Sequence, residues 1–438
     1  MSKDFLNINR LGDLYRPKDQ RINDYHEVEA PLDEDRIMEQ AKRCMDCGIP
    51  FCHGCGCPLE NAIPEINRLA GRGKFREAWE ILASTSPMPE FTSRICPALC
   101  ENSCTASLEF GAVMVRQIEK SVVDHAFAHG FVEPDIPAER SGRKVAVVGS
   151  GPAGLAMAIA LNRAGHRVTV FESRPLPGGL LRYGIPNFKL DKALIDRRIQ
   201  LMEAGSIEFR CNCEVGKDIS LDYLSRTFDA VAICTGTPAP RDLAVENRNL
   251  GNILFALDYL NGGASAEGKN VVVIGGGDTG SDCVGMAIRQ HAKSITQIEI
   301  MPEPPSSRPA STPWPLWSRE LRTSSSHKEG GVRRWSLQTV RFLGKDGSVT
   351  GVEVAPVEWT FSPDGVPLKF TAGKQTEVLP AELVTLAMGF LKPDHQLPFP
   401  NVFVSGDAGL GPSLVVRAIA DAGKIAGKID AFLKEAQQ

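Results

Sequence analysis

The chain has 438 residues, more than one ordinary domain holds, and 42% of them are hydrophobic, so two or three packed cores are expected. A formal charge of -4 with no long block of like charge excludes a nucleic-acid footprint and a basic membrane-binding patch. Residues 1–21 are polar and mixed in charge without the apolar core of a signal peptide, and no run of about 18 apolar residues occurs, so a cytoplasmic protein without membrane spans is expected.

Residues 1–138 read as a helical domain. EDRIMEQAKRCMDC places Ile37, Ala41 and Cys44 along one side of a helix, and IPEINRLAGRGKFREAWEILAST carries apolar residues at helical intervals. Eight of the twelve cysteines fall here: Cys44, Cys47, Cys52, Cys55 and Cys57 in one run, Cys96, Cys100 and Cys104 in another. In a reducing compartment such a group is a metal site rather than a disulfide framework. C-x2-C pairs build zinc sites as well as iron–sulfur sites. The nucleotide loops downstream favour iron–sulfur, because zinc cannot take up an electron. Cys211, Cys213, Cys234 and Cys283 stand apart and are expected to be core or surface residues.

After a Pro-rich linker, VEPDIPAERSGRK, the pattern changes to strand–helix–strand. KVAVVGSGPAGLAMAIALNRAGHRVTVFES contains Gly149-x-Gly151-x-x-Gly154 between strand and helix, with Pro152 and Ala153 opening the helix and Glu172 ending the next strand. In a dinucleotide fold the first glycine makes the tight turn, the second lets the pyrophosphate approach, the third lets helix pack on strand, and the acid meets the ribose. KNVVVIGGGDTGSDCVGMAIRQHAKSITQIEIMPE repeats the unit with Gly275, Gly277, Asp278, Thr279, Gly280 and Glu299. Taken alone, Glu299 favours NADH over NADPH, and Arg308, Arg319 or Arg322 would reverse that preference. The segment carrying these arginines, PEPPSSRPASTPWPLWSRELRTSSSHKEGG, is either a surface loop or a flap over the nucleotide site. NVFVSGDAGLGPSLVVRAIADAGKIAGKIDAFL supplies a strand, a turn with Asp407 and a long helix, and is expected to return to the first nucleotide domain.

The expected fold class is therefore α/β with an N-terminal all-α iron–sulfur domain and two Rossmann-like domains, one inserted in the other. The limits read as 1–138 for the helical domain, 139–262 with 385–438 for the flavin domain, and 263–384 for the nicotinamide domain. Two nucleotide sites on one chain point to a flavin and a nicotinamide, since hydride passes between two carriers.

With CMDCGIPFC, RICPALCENSC, VAVVGSGPAGLAMA, GGLLRYGIPNFKLDK, VVVIGGGDTGSDC, RTSSSHKEGG, LAMGFLKP and SLVVRAIA in view, the chain resembles the small (beta) subunits of bacterial glutamate synthase over nearly its whole length. The resemblance implies FAD on the first glycine loop, NADPH or NADH on the second, and two 4Fe-4S clusters in the helical domain. One cluster would sit on Cys44, Cys47, Cys52 and Cys104, the other on Cys57, Cys96 and Cys100, so the two runs would cross over. Glu119 is the implied fourth ligand of the second cluster, with Gln117 the alternative. Cys55 is an extra thiol that competes with Cys57. Gly178, Gly179, Leu180 and Gly236 would border the flavin and Asp407 would hold its ribityl chain. The family favours NADPH, with Arg319 and Arg322 supplying charge for its 2'-phosphate. The implied partner is the large (alpha) glutamate synthase subunit; the alternatives are a ferredoxin or another acceptor, or an assembly subunit without turnover. Between LKPDHQLPFP and NVFVSGD the chain is shorter than the family pattern.

Overall fold

The computed structural model describes residues 4–362, 365–394 and 399–435. Part of the abbreviated stretch before Asn401 thus lies outside the described residues.

The N-terminal unit packs short helices around one core in which Ile63, Ile66, Leu82, Ile118 and Val122 are wholly buried. Its helices break where the cysteine loops begin. Helix Glu34–Ala41 is capped by Asp33, whose carboxylate accepts from the Arg36 N–H, and it ends three residues before Cys44. The helical pattern over residues 63–85 folds as two helices, Ile63–Ala70 and Phe75–Thr85, because the chain turns through Gly73 at φ 71°. Within CHGCGC a short π-helical turn, Cys52–Gly56, separates Cys52 from Cys57. A Cβ on Gly56 would lie 2.6 Å from the Cys100 Cα, so only glycine lets the two cysteine runs meet there.

The first parallel sheet has the order Val402–Val404, Ala230–Ile233, Lys144–Val148, Arg167–Phe171, Glu208–Arg210. Its central strands are buried on both faces, which is why KVAVV and AVAI are unbroken apolar runs. Strand Val402–Val404 pairs in parallel with Ala230–Ile233, and helix Val415–Glu435 then packs on helix Pro152–Arg163 with Val416, Ile419, Ala422, Ala426 and Ile429 buried.

The second parallel sheet has the order Ile253–Phe255, Leu383–Leu386, Asn270–Ile274, Ser294–Ile298, Val332–Arg334. This moves the expected limits. Strand Ile253–Phe255 lies before residue 262 and strand Leu383–Leu386 straddles residue 384, yet both pair inside the second sheet. Neither strand carries a motif, and only the pairing assigns it. An antiparallel layer, Leu337–Lys345, Ser348–Phe361, Pro367–Ala372 and Glu377–Pro380, was not expected; it closes a core with Phe342, Val352 and Val354 against that sheet.

One N-terminal segment touches all three units. Glu27 pairs with Arg94 at 2.6 Å and Glu29 pairs with Arg116, both in the helical unit. The Val28 N–H donates to the Phe188 carbonyl of the first nucleotide unit. Arg21 pairs at 2.7 Å with Glu329 of the second, and Glu329 also pairs at 2.7 Å with Arg289. The helical unit and the first nucleotide unit are joined again by a buried two-pronged pair, Arg198 to Glu90 at 2.5 and 2.9 Å. Replacing one partner of such a pair strands the other charge in the core. Arg198→Met should therefore lower the apparent stability by about 3 kcal/mol or more; an unchanged urea midpoint would show that the pair is dispensable.

Candidate functional site

A large cavity, about 690 Å3, opens at the C-terminal ends of the first sheet. Gly149, Gly151, Pro152, Ala153, Glu172, Gly179, Leu180, Gly236 and Asp407 all line it. Gly154 lies behind them, buried in the helix, and Gly178 flanks Gly179 at φ 132° without lining the cavity. Glu172 is buried, and its carboxylate accepts from the Ser150 N–H and hydroxyl and, at 2.7 Å, from the Arg174 N–H, so it is anchored to the glycine loop it follows in space. Asp407 accepts from the Ser413 hydroxyl at 2.5 Å, and burial pushes its carboxyl above the ordinary range.

The glycines divide into two kinds. At Gly149, φ is 98° and a Cβ would lie 2.6 Å from the Cys234 carbonyl oxygen; at Gly154 a Cβ would lie 1.9 Å from the Gly149 oxygen. The backbone itself forbids side chains there. Gly151 has an ordinary φ of -68°, and a Cβ would meet nothing nearer than the Gly179 Cα at 3.9 Å. The second loop repeats this division. A Cβ on Gly275 or Gly280 would lie 2.2 Å from a carbonyl oxygen, whereas Gly277, at φ -79°, has nothing within 4 Å. The middle glycine of each loop is thus one the protein does not need for folding. Each faces open space at a helix N-terminus, where backbone N–H groups suit a phosphate.

The second loop stands between two cavities. Thr279 lines the large one, together with Asp258, Asn261, Ala387 and Gly389 of the second unit. On the other side, Gly276 and Glu299 line a pocket of about 210 Å3 with Arg322, Arg333, Arg334 and Trp335. Glu299 accepts from the Gly276 N–H at 2.5 Å, repeating the role of Glu172. Asp278 is exposed at the head of helix Asp278–Arg289 and lines neither cavity. Arg319 is exposed and outside the pocket, a correction to the expectation that it accompanies Arg322. Arg308 is turned away as well, donating to carbonyls at Thr312, Leu316 and Asn102. Arg333 and Arg334 were missed. Their strand follows a helix and a glycine turn, and only its parallel pairing, Ile298 opposite Arg334, puts them beside Glu299.

The segment between is neither a free loop nor a simple flap. Trp314 packs on Phe51 at 4.6 Å between ring centres, and the Ser318 N–H donates to the Asn102 Oδ1 at 2.8 Å, so its middle rests on the cysteine loops.

Two small cavities hold the cysteines. Cys44, Cys47, Cys52 and Cys104 line the first; Cys57, Cys96, Cys100 and Glu119 line the second. Cys55 is exposed and lines neither, and Gln117 donates to Glu29 at 2.7 Å instead of facing the second cavity. Among the described residues no three of His, Cys, Asp and Glu converge at the spacing of a single ion. A tetrahedral zinc with bonds of about 2.3 Å needs that convergence. Thiols set around a cavity suit a body with several corners. Burial pushes the Cys52 and Cys57 thiols up to about 12 and Cys100 well above the ordinary value, so these groups ionise only when a positive metal centre faces them. Glu119 is pushed up to about 7 by burial, against a 2.9 Å hydrogen bond from Asn61 that favours the carboxylate. Asn67, in the wall of the first cavity, has a buried Nδ2 without a hydrogen-bond partner.

The order of the cavities is set by the C-terminal helix. Val415 lines the large cavity and Val416 the second cysteine cavity; beyond that cavity the Cys52–Gly56 turn leads to the first.

This layout defines an oxidoreductase that joins an iron–sulfur unit to a flavin- and pyridine-nucleotide-binding unit. Residues 21–131 match the family model described as dihydropyrimidine dehydrogenase domain II, 4Fe-4S cluster, and residues 143–422 match pyridine nucleotide-disulphide oxidoreductase. The glutamate synthase [NADPH] small chain of Mycobacterium tuberculosis is 43% identical, over 95% of this chain and 93% of the relative; that of Bacillus subtilis is 40% identical, over 98% and 97%. The chain belongs to the glutamate synthase small-chain family, whose part is electron input. It also matches the glutamate synthase [NADH] of Schizosaccharomyces pombe at 40% identity, over 97% of this chain and 22% of that protein. Among solved structures, Mycobacterium tuberculosis FprA in complex with NADPH has the same fold, with a TM-score of 0.55 at 19% identity over 67% of this chain and 85% of that one.

Because neither middle glycine is needed by the fold, Gly151→Val and Gly277→Val should both give folded protein with unchanged far-UV circular dichroism. Gly151→Val should lose the flavin absorbance, while Gly277→Val should keep it and lose reduction by pyridine nucleotide. Equal flavin loss in both would refute this division of the two loops.

Proposed function

We propose that a pyridine nucleotide held at its adenosine end by the pocket of Arg322, Arg333 and Arg334 delivers hydride in the large cavity, and that electrons then cross the second and the first cysteine cavities and leave from the first cysteine set to a large glutamate synthase subunit in the cytoplasm. The observation that carries the route is the adjacency of Val415 and Val416, which puts the large cavity and the second cysteine cavity on either side of one helix end.

When bound, FAD accepts the hydride of a reduced nicotinamide and the clusters carry single electrons. The chain's own residues bind and orient. Glu172, held by Ser150 and Arg174, presents its carboxylate to ribose hydroxyls; Gly151 and Gly277 leave room for pyrophosphates; Asp407, held by Ser413, takes the ribityl hydroxyls. Cys44, Cys47, Cys52 and Cys104 hold one cluster, and Cys57, Cys96, Cys100 and Glu119 the other. No side chain needs to act as a general acid or base for hydride transfer; alignment and exclusion of water suffice. The exposed Ile49 beside Cys47, with 76% of its surface open, fits an exit toward a partner. The match to part of a much longer glutamate synthase polypeptide supports the same pairing of a short and a large component.

The coenzyme is NADPH in this reading. Glu299 alone would repel a 2'-phosphate, but its carboxylate is engaged by the Gly276 and Met301 N–H groups while Arg322 and Arg333 face the pocket. Guanidinium groups suit a phosphate dianion.

Three measurements test the proposal. Anaerobically purified protein should contain about eight irons per chain, and Cys47→Ser or Cys100→Ser should each remove one cluster while leaving flavin bound; stoichiometric zinc with little iron would refute the ligand sets. Arg322→Ala and Arg333→Ala should each lower kcat/KM for NADPH in dye reduction by about tenfold, about 1.4 kcal/mol, with little change for NADH. A parent enzyme that prefers NADH would show that Glu299 decides. A large flavoprotein should copurify with the chain and confer NADPH oxidation dependent on glutamine and 2-oxoglutarate; dye reduction without any such coupling would refute the partner.

A further inference from the structure

Helix Ile63–Ala70 buries Ile63, Ile66, Asn67 and Ala70 on one face. Three of the four are apolar, as a core face requires, and the fourth is an asparagine only 1% exposed. Its Nδ2 is buried with no hydrogen-bond partner, a costly state for an amide donor. Nothing in the packing explains it. The rest of the cavity wall is apolar apart from the thiols and the Thr105 hydroxyl, with Met45, Phe51, Ile63, Ala106, Val113 and Val115 around it, so Asn67 supplies the only side-chain N–H donor there. The acceptors in reach are sulfurs. Cys44, Cys47, Cys52 and Cys104 line the same wall as the Asn67 amide.

The second cysteine cavity is built differently. Its asparagine, Asn61, just before the same helix, is fully engaged: Nδ2 donates to Glu119 at 2.9 Å and Oδ1 accepts from Thr85 at 2.8 Å. One short stretch of chain thus sends an amide toward each cavity, one satisfied by protein and one left open.

We propose that Asn67 is a positioning residue that sets the potential of the first cluster by donating an N–H···S hydrogen bond to its sulfur framework, making this outer site the favoured resting place of an electron before exit. The physical basis is general: a donor aimed at sulfur stabilises the added negative charge of the reduced cluster, and hydrogen bonds to sulfur are one of the levers by which proteins set such potentials. In an apolar wall the effect of a single dipole is large, because little else screens it. The inference rests on the reading that this cavity holds a 4Fe-4S cluster.

The test uses the full chain with its flavin and clusters. Asn67→Leu keeps the volume and removes the donor. It should retain the iron content and flavin of the parent, while redox titration followed by electron paramagnetic resonance shows a lower potential for one cluster only. The expected fall in its reduced-to-oxidised ratio at a fixed poise is about tenfold, about 59 mV for a one-electron couple. Asn67→Ala serves if leucine cannot be packed. In parent protein carrying 15N in its asparagine side chains, the reduced first cluster should show a 15N coupling that the variant lacks. An unchanged potential in a variant that keeps both clusters overturns the proposal, as does absence of the coupling in the parent. Selective loss of the first cluster from both variants would also overturn it, making Asn67 structural. A parent without iron would instead overturn the cluster reading on which the inference rests.

Discussion

The arrangement of the three sites depends on buried ion pairs made by a segment that belongs to none of them. Between Arg21 and Glu29 the chain offers charge to two units, Arg21 to Glu329 of the second nucleotide unit and Glu27 and Glu29 to Arg94 and Arg116 of the helical unit, and the Val28 N–H to the Phe188 carbonyl of the first nucleotide unit. Because Glu329 is wholly buried and is shared with Arg289, withdrawing Arg21 would leave a charge cluster unbalanced in the interior. Such pairs contribute little net stability. They contribute geometry, since a misplaced unit would strand several charges at once, and a relay of redox groups needs its distances held.

The same logic runs down to the cysteines. The crossing of the two runs requires the chain at Gly56 to pass against the backbone of Cys100, which only a residue without Cβ allows. The π-helical turn between Cys52 and Cys57 then faces successive cysteines to different cavities. Cys55, on the turn's outer side, is left to solvent. Burial keeps the Cys52, Cys57 and Cys100 thiols from ionising unaided, so the site is organised around a positive centre rather than around charge of its own.

The nucleotide units show how one motif yields two settings. Both loops use the same division of labour among their glycines, and both are braced by an acid at the end of the second strand, Glu172 or Glu299. What differs is the neighbour. Around Glu172 the lining is a long cavity shared with both units, while around Glu299 it is a compact pocket crowded with arginines. The acid is similar in each, and the surrounding charge differs.

Much of this was legible in the order of residues. The glycine loops, the acids that follow them, and the membership of each cysteine run rest on local spacing, and local spacing is what a turn, a helix start or a thiol pair obeys. The choice of Cys57 over Cys55 and of Glu119 over Gln117 was not legible, because neighbours on a turn or a helix differ only in direction, and direction depends on what packs behind them. Arg333 and Arg334 enter the second site through a parallel pairing between strands far apart in the chain, and Arg319 leaves it because the segment around Trp314 rests on Phe51. The limits of the inserted unit moved for the same reason: strands Ile253–Phe255 and Leu383–Leu386 are assigned by their hydrogen-bonding partners. By itself the sequence determined which chemistry the chain can hold, since that depends on residue types at short range. The tertiary structure alone decided which residues face which cavity, and in what order the cavities lie, because those relations are made by contacts between segments that have no neighbourhood in sequence.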